Sequence, residues 1–183
     1  MKPILILWFV FLLALALPAK DKGYVILHGT FFMPADANFK DVYGGSAIMP
    51  GIGFGMKLRR SIFLFVSADY LAKTGSTIGA LKDPTKTSQI FIAGGLEVRL
   101  ELAAKHDATF RAGAVYINFN DMAFSESVTG NGIGFLFGAG LNWKMKSFFL
   151  ALDIDYLRVT DTPINDKIIL GGMKVAVGIG RFF

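Results

Sequence analysis

Cysteine is absent from the 183 residues, which excludes disulfides, thiol catalysis and acylation at a lipoprotein-type cysteine. Histidine is almost absent too. His28 and His106 leave little material for a histidine-rich metal centre, and neither a metal nor a cofactor is expected. Charge is scarce: 18% of residues are charged against 53% hydrophobic. That balance is too apolar for a disordered chain and high for a water-soluble domain. Beyond Leu17 there is no uninterrupted apolar run long enough for a spanning helix.

Two residue types are plentiful, with 21 glycines and 18 phenylalanines, and their placement is informative. The chain opens MKPILILWFVFLLALALPAK. One lysine, an apolar run from Ile4 to Leu17 and a small-residue site at Leu17-Pro18-Ala19 form the layout of a secretory signal peptide. The run is shorter than a membrane anchor requires. The expected division is a leader over 1–19 and a single domain over 20–183.

From Gly23 onward, eight segments of roughly ten residues alternate with period two. In the fourth, Ile90, Ile92, Gly94, Leu96, Val98 and Leu100 share one face, while Gln89, Phe91, Ala93, Gly95, Glu97, Arg99 and Glu101 share the other. The sixth sets Ile133, Phe135, Phe137, Ala139, Leu141 and Trp143 against Gly134, Leu136, Gly138, Gly140 and Asn142. In the second, GIGFGM, glycine alternates with Ile52, Phe54 and Met56. The first is less regular; placing Val25, Leu27 and Phe31 on the apolar face puts His28 and Thr30 together on the other.

In a soluble sheet the second face would meet water. Here it consists of Gly, Ala and Phe with an occasional charge, while the first face is continuously large and apolar. The soluble pattern is inverted, so bulk faces lipid and small or polar residues face a narrow lumen. Segments of about 9–11 residues suit tilted membrane strands, and a sheet in hydrocarbon must close to pair its edges. The connections alternate strictly. Short ones fall at Arg59–Ser61, Leu102–His106 and Lys144–Lys146; long ones at Pro34–Pro50, Ala72–Ser88, Phe119–Asn131 and Val159–Lys167. Short periplasmic turns and long external loops have this arrangement. Tyr70, Tyr116 and Tyr156 end the lipid faces of ascending strands, and Trp143 and Phe148 flank a periplasmic turn, giving two aromatic girdles.

On these residues the chain resembles the small eight-stranded outer-membrane barrels of the OmpA and OmpX type. The expected fold is all-β, an antiparallel up-and-down transmembrane β-barrel of eight strands in the cell outer membrane. The final stretch KVAVGIGRFF carries the most specific likeness. The resemblance implies that Phe183, with Val175, Val177 and Ile179 at alternate positions, is a signal read by the barrel-assembly machinery. Arg181 departs from the pattern, and snorkelling to periplasmic headgroups would accommodate it.

Charges sort by place. The short-turn end is basic, with Lys20, Lys22, Arg59, Arg60, Lys105, Lys144, Lys146 and Arg181 against Asp21 and Asp107, which suits anionic headgroups. The net charge of +5 does not point to nucleic acid, since these cations sit in turns of an exported protein. Inside the lumen fall Lys57, Arg99, Arg111 and Lys174 with Asp69, Glu97, Glu101, Asp153 and Asp155, expected to pair as a structural plug. Hairpin register suggests Glu97 with Arg111, and Asp153 with Lys174. Phe63, Phe65, Phe149 and Phe182 are expected to block water near the periplasmic end.

The leading functional expectation is a non-enzymatic anchor. It would touch outer-membrane lipids and lipopolysaccharide and present four loops to an unidentified ligand. The rival is passage of small apolar solutes through the barrel or out of its side. A third reading, lipid modification by His28 with Ser67 and Asp69, has no motif behind it. GIGFG and GIGFLFG open no helix, so they are not phosphate loops.

Overall fold

The computed structural model describes residues 22–77, 83–123, 126–161 and 168–183. The expected leader, 1–19, lies outside the described residues. The chain forms eight long strands: β1 (Gly23–Pro34), β2 (Ala47–Arg59), β3 (Ile62–Ser76), β4 (Pro84–Ala103), β5 (His106–Ala123), β6 (Glu126–Met145), β7 (Phe148–Asp161) and β8 (Gly172–Phe182). Each pairs antiparallel with its sequence neighbours, and β8 returns to β1 with Tyr24 opposite Phe182. The sheet is therefore closed. Every strand has two partners, as hydrocarbon surroundings demand.

The outer surface is the apolar face read from the alternation. Phe54, Leu64, Ile92, Leu96, Phe137, Leu152 and Val177 are all exposed on it. No helix among the described residues is long and apolar enough to cross a membrane; crossing is by strands. Tyr70, Tyr116 and Tyr156 lie exposed on the outer face, and at the opposite end Trp143 stacks on His106 with ring centroids 6.1 Å apart. Val25 is an exception on that face. It keeps the outward phase between its neighbours Phe54 and Arg181 yet is only 1% exposed.

Two expectations about the connections need correction. Most of Ala72–Ser88 and Phe119–Asn131 is strand, because β3 to β6 run on past the tyrosine girdle, β4 and β6 reaching 20 residues each. Alternation continues there in polar residues: Thr85, Thr87 and Gln89 are buried inward, while Lys86 faces out. Hydrophobic contrast fades above the bilayer although the period does not.

The first long connection also folds. Residues Ala37–Tyr43 form helix α1. Asp36 caps it by accepting from Phe39 N at 2.9 Å, and Gly44 ends it at φ 86°, donating to Lys40 O at 2.8 Å. Helix α1 leans on β3: a Cβ on Gly75 would collide with Val42 O, and Lys73 Nζ donates to Ser46 O. This contact fills a seam. Pairing of β2 with β3 stops at Gly51–Asp69; above it, Ala47–Pro50 pairs only with β1 and Tyr70–Ser76 only with β4.

Candidate functional site

The lumen is filled in three layers, each built by inward positions of several strands. Nearest the short turns, the Arg99 guanidinium on β4 lies among four aromatic rings. It sits 4.0 Å from the Tyr24 ring centre, 4.6 Å from Phe63, and 5.4 Å from both Phe149 and Phe182. Glu97 completes the layer, accepting from Arg99 Nε at 2.6 Å and from the Tyr24 hydroxyl at 3.0 Å. A weakly hydrated, planar cation is the one suited to stacking between rings while still donating in its plane.

The middle layer holds two ionic centres. Arg111 meets Asp153 at 2.6 Å and Asp155 at 2.8 Å. Asp69 accepts from Lys174 Nζ and from Thr30 at 3.2 Å, and lies 2.8 Å from His28 Nε2. These partners differ from those expected. Glu97 does stand opposite Arg111 in register, and Asp155, not Asp153, stands opposite Lys174. Facing positions nevertheless do not become ion pairs. Long cations reach across the bore, Arg111 from β5 to β7 and Lys174 from β8 to β3, because a closed barrel brings non-adjacent strands within one side chain's span.

Inward glycines make room for these groups. Tyr24, His28, Asp153, Asp155 and Phe149 each stand directly opposite a glycine: Gly55, Gly51, Gly140, Gly138 and Gly180 respectively. A Cβ on any of those five would collide with the facing side chain. The small residues are thus the footprint of their large neighbours, not an open channel.

The third layer, toward the long connections, is apolar. Phe32, Met49, Leu71, Phe91, Ile117 and Leu136 are buried in one cluster, and Phe39 of α1 packs onto it. Phe32 and Phe91 meet edge to face at 5.4 Å. This plug was not foreseen, although the signal was present. The inward run of β5 reads Thr109, Arg111, Gly113, Val115, Ile117, Phe119, polar at one end and apolar at the other. Tyr24 was likewise missed, because the weak alternation of β1 hid which face it takes.

Lys57 and Glu101, expected in the lumen network, are corrected to the rim. Both keep the inward phase but lie past the last closed layer and are exposed; Glu101 is 3.8 Å from Lys144, which also meets Asp107 at 2.8 Å. Asp69, Glu97, Arg99, Arg111, Asp153, Asp155 and Lys174 are the members brought together inside. Phe63 and Phe149 are buried in the lower layer with Phe182 packed beside them, whereas Phe65, expected there, belongs to the upper apolar cluster. Val177 and Ile179 are exposed on the outer face of β8, with Val175 partly so; the Phe183 ring lies 5.4 Å from Phe54. Arg181 lies over the Phe148 ring at 5.9 Å.

Between the plugs the lumen keeps a cavity of about 30 Å³, lined by polar groups including His28, Thr30, Arg111 and Lys174. That is room for a water or two and no more. His28 engages Asp69, and no hydrogen bond joins Ser67 to His28 among the described residues. No cluster of possible metal ligands occurs among them either.

A closed, up-and-down barrel of eight strands with an apolar exterior and a polar, plugged interior is an outer-membrane β-barrel. No family model matches the chain, and no curated protein sequence does. Solved structures share the fold. The outer membrane protein OprG of Pseudomonas aeruginosa superposes with a TM-score of 0.72 at 13% identity, over 90% of this chain and 97% of that one. Neisserial surface protein A gives 0.64 at 13% identity, over 91% and 100%. Ail, the attachment invasion locus protein of Yersinia pestis, gives 0.55 at 12% identity, over 90% and 100%. At such identities the likeness is one of architecture, and it agrees with the OmpA/OmpX-type barrel and the outer-membrane location read from the sequence.

Proposed function

We propose that this barrel is a sealed, non-enzymatic anchor whose work is done outside the membrane. The long extracellular strand extensions and connections would present their side chains to lipopolysaccharide and to a ligand on another surface. The observation that carries this reading is the filled lumen: an aromatic–guanidinium plug below, an apolar plug above and about 30 Å³ between. Ion flow needs a continuous wet path, and two of the three layers have none. Planar-bilayer recording on refolded protein tests it. The native barrel is expected to pass no ion current, and Arg99→Ala with Phe149→Ala, which leaves the apolar layer shut, should pass none either; adding Phe32→Ala and Phe91→Ala should open steps. Stepwise conductance by the native protein would refute the anchor reading.

A second reading rests on the seam. The apolar upper lumen lies beside the stretch where β2 and β3 are unpaired, with α1 against it. Small apolar solutes would enter from outside and leave sideways into lipid. Uptake of a fluorescent apolar solute into vesicles, raised when Gly75→Leu displaces α1, would favour this route; no uptake by either protein would exclude it. For assembly, we propose that the outward set Val175, Val177 and Ile179 with Phe183 is what the assembly machinery reads.

A further inference from the structure

Outside the lower plug lies a second concavity, about 420 Å³, ringed by the short turns and floored by Arg99, Phe63 and Phe182. Lys57, Arg60, Lys144 and Lys146 line it, with Glu101 and Asp107 as the facing acids. Lys144 serves both acids, and Glu97 serves Arg99. Lys57, Arg60 and Lys146 are therefore left without a carboxylate partner among the described residues.

Two further features single out this vestibule. Arg60 at φ 33° and Lys146 at φ 54° are the only non-glycine residues with positive φ among those described. Each occupies the first position of a two-residue turn followed by serine, Arg60-Ser61 and Lys146-Ser147. Glycine or asparagine would fit such backbone at less strain, yet both turns carry a cation. Strain kept at equivalent points of two turns is a reason to look for a role there. Second, the floor is dry: Arg99 is 7% exposed among the Phe63 and Phe182 rings, so charges in the vestibule act beside a low-dielectric wall.

We propose that the periplasmic vestibule binds a soluble, multiply charged phosphate compound. The site lies on the barrel axis, lined by inward-phase residues such as Lys57, Phe63 and Arg99, so the strands wall it from the bilayer. The occupant thus comes from the aqueous periplasm, not from a lipid headgroup. Phosphate fits better than carboxylate. A planar carboxylate seats on the two-donor edge of one guanidinium, which Arg60 alone could offer because Arg99 has committed Nε to Glu97, and it would leave Lys57 and Lys146 unanswered. A tetrahedral phosphate instead collects donors and point charges from several sides, as Lys57, Arg60 and Lys146 offer them.

The test is calorimetric titration of inorganic pyrophosphate into the barrel refolded in zwitterionic detergent at low salt. Saturable binding is expected, weakening as salt rises. The double variant Arg60→Gly, Lys146→Gly relieves the backbone at both turns, so it should fold at least as stably while binding about tenfold more weakly. Citrate should bind more weakly than pyrophosphate, and short-chain phosphatidylglycerol should not displace it. No saturable pyrophosphate binding by the native barrel would overturn the proposal. So would undiminished binding by a folded double variant, citrate binding as tightly, or displacement by the lipid.

Discussion

At the scale of the residue, the lumen is governed by what happens when one member of a buried ionic set is removed. Arg111 balances Asp153 and Asp155, and the whole group is close to buried. Arg111→Ala leaves two carboxylates facing each other in a confined space, and is expected to cost about 3–5 kcal/mol of stability. Replacing the entire set, Arg111→Leu with Asp153→Ala and Asp155→Ala, should recover most of that loss, since no charge is then stranded. Urea midpoints of the two proteins refolded in lipid vesicles check this; equal midpoints would count against the assignment. The identity of these charges was legible in the sequence, and so was their inward phase. Their partners were not. Register along a hairpin names the residue across the strand, whereas Arg111 and Lys174 reach across the bore, which no local spacing encodes.

At the scale of the element, α1 is held by two close fits. Gly75 gives it room against β3, and Lys73 ties the following turn at Ser46. Gly75→Val should drive α1 away and make 35–46 readily cleaved by an added protease, while the strands below stay intact. Unchanged cleavage would show that α1 is not fixed by this contact. Near α1, Asp121 at the outer end of β5 has its carboxyl pushed above the ordinary carboxylate range, chiefly by burial, with Thr87 opposing. Burial and the Asp121 charge likewise raise the Tyr43 phenol, so Tyr43 stays neutral. A carboxyl that holds its proton more tightly when folded favours the folded arrangement most at low pH. That contribution falls as pH rises from the unfolded value, about 3.9, through the raised folded one. Hydrogen-exchange protection of 37–43 should therefore decline across that window, and Asp121→Asn should flatten the decline. The helix was invisible beforehand because seven residues inside a polar connection carry no apolar period, and only Asp36 and Gly44 hint at its ends.

At the scale of the whole molecule, closure dominates. Eight strands satisfy one another's backbone groups only when β8 meets β1, and Phe182 and Phe183 sit at that last joint, with Phe183 N donating to Gly23 O at 3.0 Å. Deleting Phe183 is expected to slow insertion of the chain by the assembly machinery and to weaken the joint. Heat-modifiable migration on gels, which separates closed barrels from open chains, would follow it. Insertion at the native rate would remove Phe183 from the assembly signal. The apolar outer belt also requires detergent or lipid at every step, and its breadth leaves no water-soluble alternative for the folded state.

The sequence by itself determined the strand count and, for every strand but the irregular first, which residues face in and which face out. Period-two alternation and turn length are local, and lipid rewards bulk on one face of every strand regardless of its neighbours. The tertiary structure decided which charges pair, which glycines lie under which side chains, and how the bore is sealed. Those facts depend on curvature, which brings β4 to β1 and β7, β5 to β7, and β3 to β8 across a space that exists only once the sheet has closed.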